Sequence, residues 1–404
     1  MSKRVVITGI GVISSIGSGR EDFWNSLVAG KSGISRISSF DTSGFSNHMA
    51  GEVKAFDPGR YLTPSRISQM GRASQLAFAA AKLAIEDSQL KFDQALRENA
   101  GVVLGTTMGE TQVFQQLNES WVKEPQKPLE TSLLRMCPSD NISGNIAEEF
   151  ALLGPVQMIS TACAAGNYAI GFAFDQVRFD RVRIMLAGGV DAFSRIAFIG
   201  FNRLLSLAPD KVRPFDKNRK GMMVGEGAGV VVVESLESAL QRNAPIYAEV
   251  LGYGLSCDAY HMTMPHAEGI AEAIVKSLQE SGIHPEDVDY YNAHATGTVT
   301  YDKEECLAIK KAFGGHYKKL VVNSIKSMLG HTMGAASAIE AIACCLTLKH
   351  DIIAPTINYE IPDPECDIDC VPNTARRQKV NIALNQASAF GGNNASLVLK
   401  KFLS

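Results

Sequence analysis

The chain has 404 residues, 46% of them hydrophobic and 20% charged, with a formal net charge of −3. That length exceeds one ordinary core and predicts two fused units or one large α/β body. The near-neutral charge excludes a global pull toward nucleic acid or membrane surfaces, and no apolar run is long enough to span a bilayer.

Eight cysteines lack paired metal-type spacing, which predicts free thiols in a reducing cytoplasm and no metal site. The first apolar run is broken by Gly9, Gly11 and Ser14-Ser15, so it reads as a first strand, Arg4 to Thr8, rather than a signal peptide. Gly9-Ile-Gly11 predicts a glycine turn. Ser14 stands where a dinucleotide fingerprint would need its third glycine. Glu21 to Ala29 reads helical, and residues 31–62 read as loop. Thr63-Pro64 is a helix entry, and Ile67, Met70, Leu76, Ala80, Leu83 and Ala84 carry that helix to about Ser88.

Gly101 to Leu104 reads as a strand ending in Gly105-Thr-Thr-Met108-Gly109. Residues 110–140 read as an inserted active-site or interface segment. Gly154-Pro155 marks a turn, Val156 to Ile159 a short strand, and Cys163 the start of a helix thinned by Ala164, Ala165, Gly166, Ala169, Gly171 and Ala173. Free N–H groups and the positive end of the helix dipole at that start favour a nucleophilic thiolate; the bland alternative is a small core cysteine. Arg183 to Leu186 reads as a strand ending in Gly188-Gly189. Gly227 to Glu234 reads as a strand buried on both faces.

The second part of the chain repeats the first in outline. Ala84-Ile-Glu-Asp-Ser-Gln-Leu90, ahead of the strand at 101–104, matches Leu278-Gln-Glu-Ser-Gly-Ile283, ahead of a strand Val288 to Asn292. The two strands run into Gly105-Thr-Thr and into His294-Ala-Thr296-Gly-Thr298. Strand Leu320 to Val322 leads through Lys326 to His331. Gly166 lies three after Cys163 and Gly334 three after His331, which predicts that Cys163 and His331 open equivalent helices. Two halves, 1–245 and 246–404, then offer a thiol from one side and two imidazoles from the other. Each histidine alone reads as structural rather than catalytic. Together with the thiol they suit thioester chemistry: covalent capture by sulfur, then proton transfer or enolate stabilisation by neutral imidazole. Lys326 reads as structural support, with Glu340 as its candidate partner in a buried salt bridge.

Six motifs run through the chain: Ser160-Thr-Ala-Cys163, Arg213-Pro-Phe-Asp216, Gly225-Glu-Gly-Ala-Gly229, His294-Ala-Thr-Gly-Thr298, Lys326-Ser-Met-Leu-Gly-His331 and Phe390-Gly-Gly392. With them the sequence resembles, over nearly its whole length, the elongating β-ketoacyl-acyl-carrier-protein synthases of the thiolase-like superfamily. The resemblance implies an α/β thiolase-like fold, two duplicated βαβαβαββ halves in a five-layer α-β-α-β-α arrangement. It implies an acyltransferase that performs decarboxylative Claisen condensation. In that reading Cys163 is the acylated nucleophile, His294 and His331 support loss of CO2 and hold the enolate, and Lys326 orders the site. The N–H groups of Cys163 and Phe390 form the oxyanion hole, the Phe390 ring gates entry, Thr296 and Thr298 line the phosphopantetheine path, and Met108 lines the acyl pocket across the dimer interface.

The fatty-acid enzymes carry Asn-Ser-Phe-Gly-Phe-Gly-Gly in the gating turn. Here Ser388 replaces the first aromatic and Ala389 a glycine, a feature closer to type II polyketide ketosynthases. Ser388 then predicts a void beside Phe390, and Ala389 a stiffer turn. Two other readings compete: a degradative thiolase, which would carry a second cysteine between Ser388 and Asn394, and a non-catalytic chain-length-factor-like subunit, which would lack the nucleophile. The implied partners are acyl carrier protein and a second subunit, identical or a ketosynthase-like chain-length factor. No nucleic acid, membrane or diffusible cofactor is expected, and Arg66, Arg72 and Arg203 are candidates for docking the acidic carrier. Asp363, Asp367 and Asp369 read as a solvated loop.

Overall fold

The computed structural model describes residues 2–403. Ten strands carry the architecture: β1 (Val5–Ser14), β2 (Ala100–Gly105), β3 (Val156–Ile159), β4 (Ile184–Asp191), β5 (Gly227–Ser235), β6 (Ala248–Cys257), β7 (Tyr290–Asn292), β8 (Val321–Asn323), β9 (Ile382–Ser388) and β10 (Asn393–Lys400). Six helices position the site: α1 (Arg72–Asp87), α2 (Thr111–Lys123), α3 (Ala165–Arg178), α4 (Ala267–Ser281), α5 (Val299–Phe313) and α6 (Ala336–His350).

The first half forms a sheet in the order β3-β2-β4-β5-β1 and the second in the order β8-β7-β9-β10-β6. In each, the first three strands are parallel and the last two antiparallel. The two sheets therefore share one topology, which is the expected duplication. They meet where Val5–Ile7 pairs with Ala248–Val250, so hydrogen bonding continues from one into the other. α1 covers the outer face of the first sheet and α4 that of the second, while α3 and α6 run between the sheets and touch strands of both. This is the expected five-layer arrangement. The central layer explains the small-residue helices: α6 is buried from Ala336 to Leu348, and side chains of Ala and Gly size let two helices and two sheets approach closely.

Several expectations fail for one reason, close packing. Gly9 and Gly11 make no turn; they lie inside β1, where a Cβ would run into the carbonyls of Ala84 and Ala80 on α1. Gly188 and Gly189 likewise sit inside β4, and a Cβ on either would meet backbone of Gly229 or Gly334. The helix expected from Thr63 to Ser88 is two helices. Pro64–Ile67 is capped by the Thr63 hydroxyl, and α1 restarts at Arg72. The Glu110 carboxylate accepts from the Ala73 and Ser74 N–H groups at that restart, satisfying donors that the helix itself cannot.

The match between halves is also shifted. A one-turn 3₁₀ segment, Ala162–Ala164, precedes α3, and another, Met333–Ala335, precedes α6. Ala162 and Met333 both have positive φ, 50° and 54°. Cys163 thus corresponds to Gly334 and not to His331, which lies two residues before that turn. The acidic loop is not simply solvated either: Asp363, Asp367 and Asp369 pair with Arg219, Lys310 and Arg376.

Candidate active site

Cys163 is delivered by β3 and the tight turn after it. Ala162 sits in the left-handed region that non-glycine residues rarely adopt. The Cys163 side lies against the second half: Ser337 at the start of α6 donates to the Cys163 carbonyl at 3.4 Å and accepts from the Asn167 N–H at 3.0 Å. Asn167 and Asn385 then clasp each other through side-chain and backbone bonds of 2.9–3.0 Å, and Asn292 donates to Asn385 at 2.9 Å. This buried amide network joins α3, α6, β7 and β9. It was absent from the sequence reading: Asn167 stands in the first turn of α3 among Ala and Gly, and nothing local names its partners.

His294 follows β7. Its N–H and that of Ala295 donate to the two oxygens of Glu305 on α5, at 2.9 and 2.8 Å. His331 is held by backbone, donating to Met223 O at 2.7 Å and accepting from Gly225 N–H at 2.8 Å. The two imidazole centroids stand 5.1 Å apart and nearly perpendicular. Each ring is 3% exposed, and neither Nδ1 has a protein partner. Burial, reinforced by the Lys326 ammonium, holds both well below the usual histidine range, so both are neutral. Lys326 pairs with Glu340 as anticipated, both fully buried. Burial pushes the Glu340 carboxyl up to about 7 against the pull of Lys326.

The thiol does not follow the expectation of a ready thiolate. Burial pushes Cys163 up to about 12, although Lys326 pulls it down. A single 3₁₀ turn presents only a fraction of a helix dipole, and desolvation of a sulfur anion outweighs it. The resting residue is a neutral thiol.

A cavity of about 200 Å³ brings Cys163, His294, His331, Thr296, Thr298 and Ser388 together, with Phe390 on its wall. Thr296 and Thr298 Oγ1 lie 3.1 Å apart. Phe390 is 40% exposed and leans toward Phe201, centroids 5.8 Å apart. In its turn Ala389 donates to Asn393 O, Gly391 to Met262 O and Gly392 to Ala389 O, leaving the Phe390 N–H outside that set. Met108 and Glu340 do not line the cavity. Met108 instead donates its N–H to Asp191. The sequence reading missed Tyr301, whose ring stands edge-on to His294 at 4.9 Å and whose hydroxyl faces Ser388. The space expected beside Ser388 is thus partly filled. Arg72 is unavailable for docking because it holds Glu226 in two hydrogen bonds of 2.7 and 2.9 Å. Arg66 pairs with Glu148 and Glu149. Arg203 is exposed. Among the described residues no helix is long and apolar enough to cross a membrane.

Comparison with known proteins points the same way. The profile of "Beta-ketoacyl synthase, N-terminal domain" matches residues 2–239 and that of "Beta-ketoacyl synthase, C-terminal domain" residues 247–360. The curated "3-oxoacyl-[acyl-carrier-protein] synthase 2" of Synechocystis is 39% identical, over 99% of this chain and 98% of its own. "The ishigamide ketosynthase/chain length factor" superposes with a TM-score of 0.97 at 46% identity, covering 100% of both chains. "AntDE:AntF (apo): type II PKS acyl-carrier protein in complex with its ketosynthase bound to the hexaketide" gives 0.92 at 32%, again over 100% of both chains.

Proposed function

The chain belongs to the β-ketoacyl synthase family, and from that premise we propose how its residues divide the work. It is an acyltransferase, a ketosynthase that condenses carrier-bound acyl and malonyl units in fatty acid or polyketide synthesis. The single observation that carries the residue assignment is one thiol and two neutral imidazoles opening onto one cavity.

In the first half-reaction the Cys163 sulfur attacks the acyl thioester and the carrier's thiol leaves. Because the resting thiol is neutral, its proton passes through an imidazole to that leaving thiolate. The N–H groups of Cys163 and Phe390 receive the oxyanion. In the second, the bond to the malonyl carboxylate breaks, CO2 departs, and the electron pair forms an enolate held by Nε2–H of His294 and His331. The enolate carbon attacks the acyl carbonyl, the Cys163 sulfur leaves, and one proton is taken up to restore the thiol. Lys326, tied to Glu340, keeps a positive charge near the sulfur. Thr296 and Thr298 receive the phosphopantetheine arm. The halves 1–245 and 246–404 each contribute an indispensable part, and no diffusible cofactor enters the cycle.

Within the two pathways we favour polyketide synthesis, supported by Ser388 in the gating turn and by the 46% identity to the ishigamide ketosynthase/chain length factor. The chain pairs with a second subunit through the open edge of β3, where Val156 is 40% exposed and the backbone is unpaired on one side. It docks acyl carrier protein near the cavity mouth, with Arg203 as the available cation, and works in the cytoplasm.

Measuring the two half-reactions separately tests the assignment. His294→Ala and His331→Ala should lower CO2 release about 10²–10³-fold, and by more than they lower acyl loading of Cys163. Normal CO2 release in both variants would overturn the roles given to the histidines. A chain-length-factor-like role predicts no loading at all, and a thiolase role predicts turnover of acetyl-CoA without malonyl groups.

A further inference from the structure

Tyr301 lies in the first turn of α5, three residues beyond Thr298. Its ring packs edge-on against His294, and its hydroxyl oxygen is fully buried, makes no well-formed hydrogen bond within the protein and has the Ser388 hydroxyl beside it. Burial keeps that phenol protonated. A phenylalanine would fill the same space without burying a hydroxyl that lacks a well-formed partner. Beside it lies Ser388, whose oxygen receives Gln386 Nε2 at 3.3 Å and keeps its own hydrogen to give. Two neutral donors therefore face one region of the cavity.

The oxygens of the two substrates can be assigned in turn. On the reading given above, the acyl oxygen goes to the Cys163 and Phe390 N–H groups, the extender's thioester oxygen to the two imidazoles, and the phosphopantetheine arm to Thr296 and Thr298. Only the extender's carboxylate lacks a partner. No lysine or arginine lines the cavity among the described residues, and Lys326 is engaged by Glu340. We propose that the hydroxyls of Tyr301 and Ser388 seat the departing carboxylate of the malonyl unit.

This seat explains why neutral donors suit the task. A guanidinium would stabilise the carboxylate more than the transition state, in which that charge moves away to the enolate oxygen. Hydroxyls orient the carboxylate while leaving its charge only partly compensated, so loss of CO2 relieves the mismatch. Tyr301 keeps its proton throughout: the bond between the methylene and carboxyl carbons breaks, its electron pair passes to the enolate, and CO2 leaves uncharged. The edge-on ring contact additionally fixes the plane of His294, so Tyr301 both binds the extender and positions the imidazole.

The inference rests on the condensing function, and the experiment separates the two. The full chain, with any subunit it assembles with, is given acyl-carrier-protein thioesters of a saturated acyl group and of malonate, and Cys163 loading and CO2 release are measured independently. Tyr301→Phe keeps the ring and removes the hydroxyl. It should raise KM for the malonyl thioester and lower CO2 release about ten- to hundred-fold, a loss at least tenfold greater than any loss in loading. Ser388→Ala should show the same split. Equal losses in both steps, or CO2 release at the wild-type level, would overturn the carboxylate seat. A wild-type protein that neither loads Cys163 nor releases CO2 would instead overturn the function itself.

Discussion

A cysteine is only as nucleophilic as its surroundings allow its thiolate to be. At Cys163 two effects oppose each other: the N–H groups of the turn and Lys326 favour the anion, while nearly complete burial disfavours it, and burial wins. The raised value means that the neutral form prevails at every pH below about 12. Alkylation of Cys163 by iodoacetamide should therefore rise roughly tenfold per pH unit from 7 to 10, without levelling off. A plateau near neutral pH would show that the turn supplies a standing thiolate. The histidines titrate in the opposite sense. Their lowered values keep them neutral through the physiological range, available to accept the thiol's proton and to donate from Nε2. The thiol and the two imidazoles that share the cavity were legible in the sequence because their residue types are chemically distinctive. Tyr301 and Asn167 were not, because nothing in a lone Tyr or Asn says that its polar atom points into a cavity or across a domain junction.

At the level of strands and helices, the glycines of this chain report contact rather than bending. The sequence reading took Gly9-Ile-Gly11 for a turn because glycine most often marks one. In β1 these residues instead admit the backbone of α1 against the sheet. Gly11→Ala places a methyl group on the Ala80 carbonyl, so the helix must move off the strand. Overpacking of this kind costs about 1–3 kcal/mol, seen as a lower denaturant midpoint at unchanged m-value. Stability equal to wild type would mean that α1 rides less closely on β1. The broken helix at Ser68–Gly71 follows the same logic. Apolar periodicity continues across the break, but the carboxylate that caps α1 comes from Glu110, almost forty residues away along the chain, which no local pattern reveals. The same limit explains the three-residue slip between halves. Spacing of small residues aligned Gly166 with Gly334, whereas the shared geometry is the positive φ at Ala162 and Met333.

Taken as one body, the molecule is a duplicated sheet-and-helix unit whose repeats have diverged in chemistry while keeping their topology. The duplication was legible from the matching strand ends, and the five layers were implied by the family resemblance. The joining of the sheets at β1 and β6 was not, since three backbone pairs leave no side-chain signature. The arrangement has a functional consequence: the thiol and the imidazoles come from different repeats, and the Asn167–Asn385 clasp sets their separation. On the proposed reading this assembly makes a covalent acyl-enzyme, and the mass of the intact chain reads it directly. Incubation with an acyl carrier protein thioester should add one acyl group to the wild-type chain, mapped to the peptide containing Cys163. Cys163→Ala should add none, and malonyl-acyl carrier protein should then discharge the wild-type adduct with release of CO2. An acyl group retained in Cys163→Ala, carried on any of the other seven cysteines, would contradict the account.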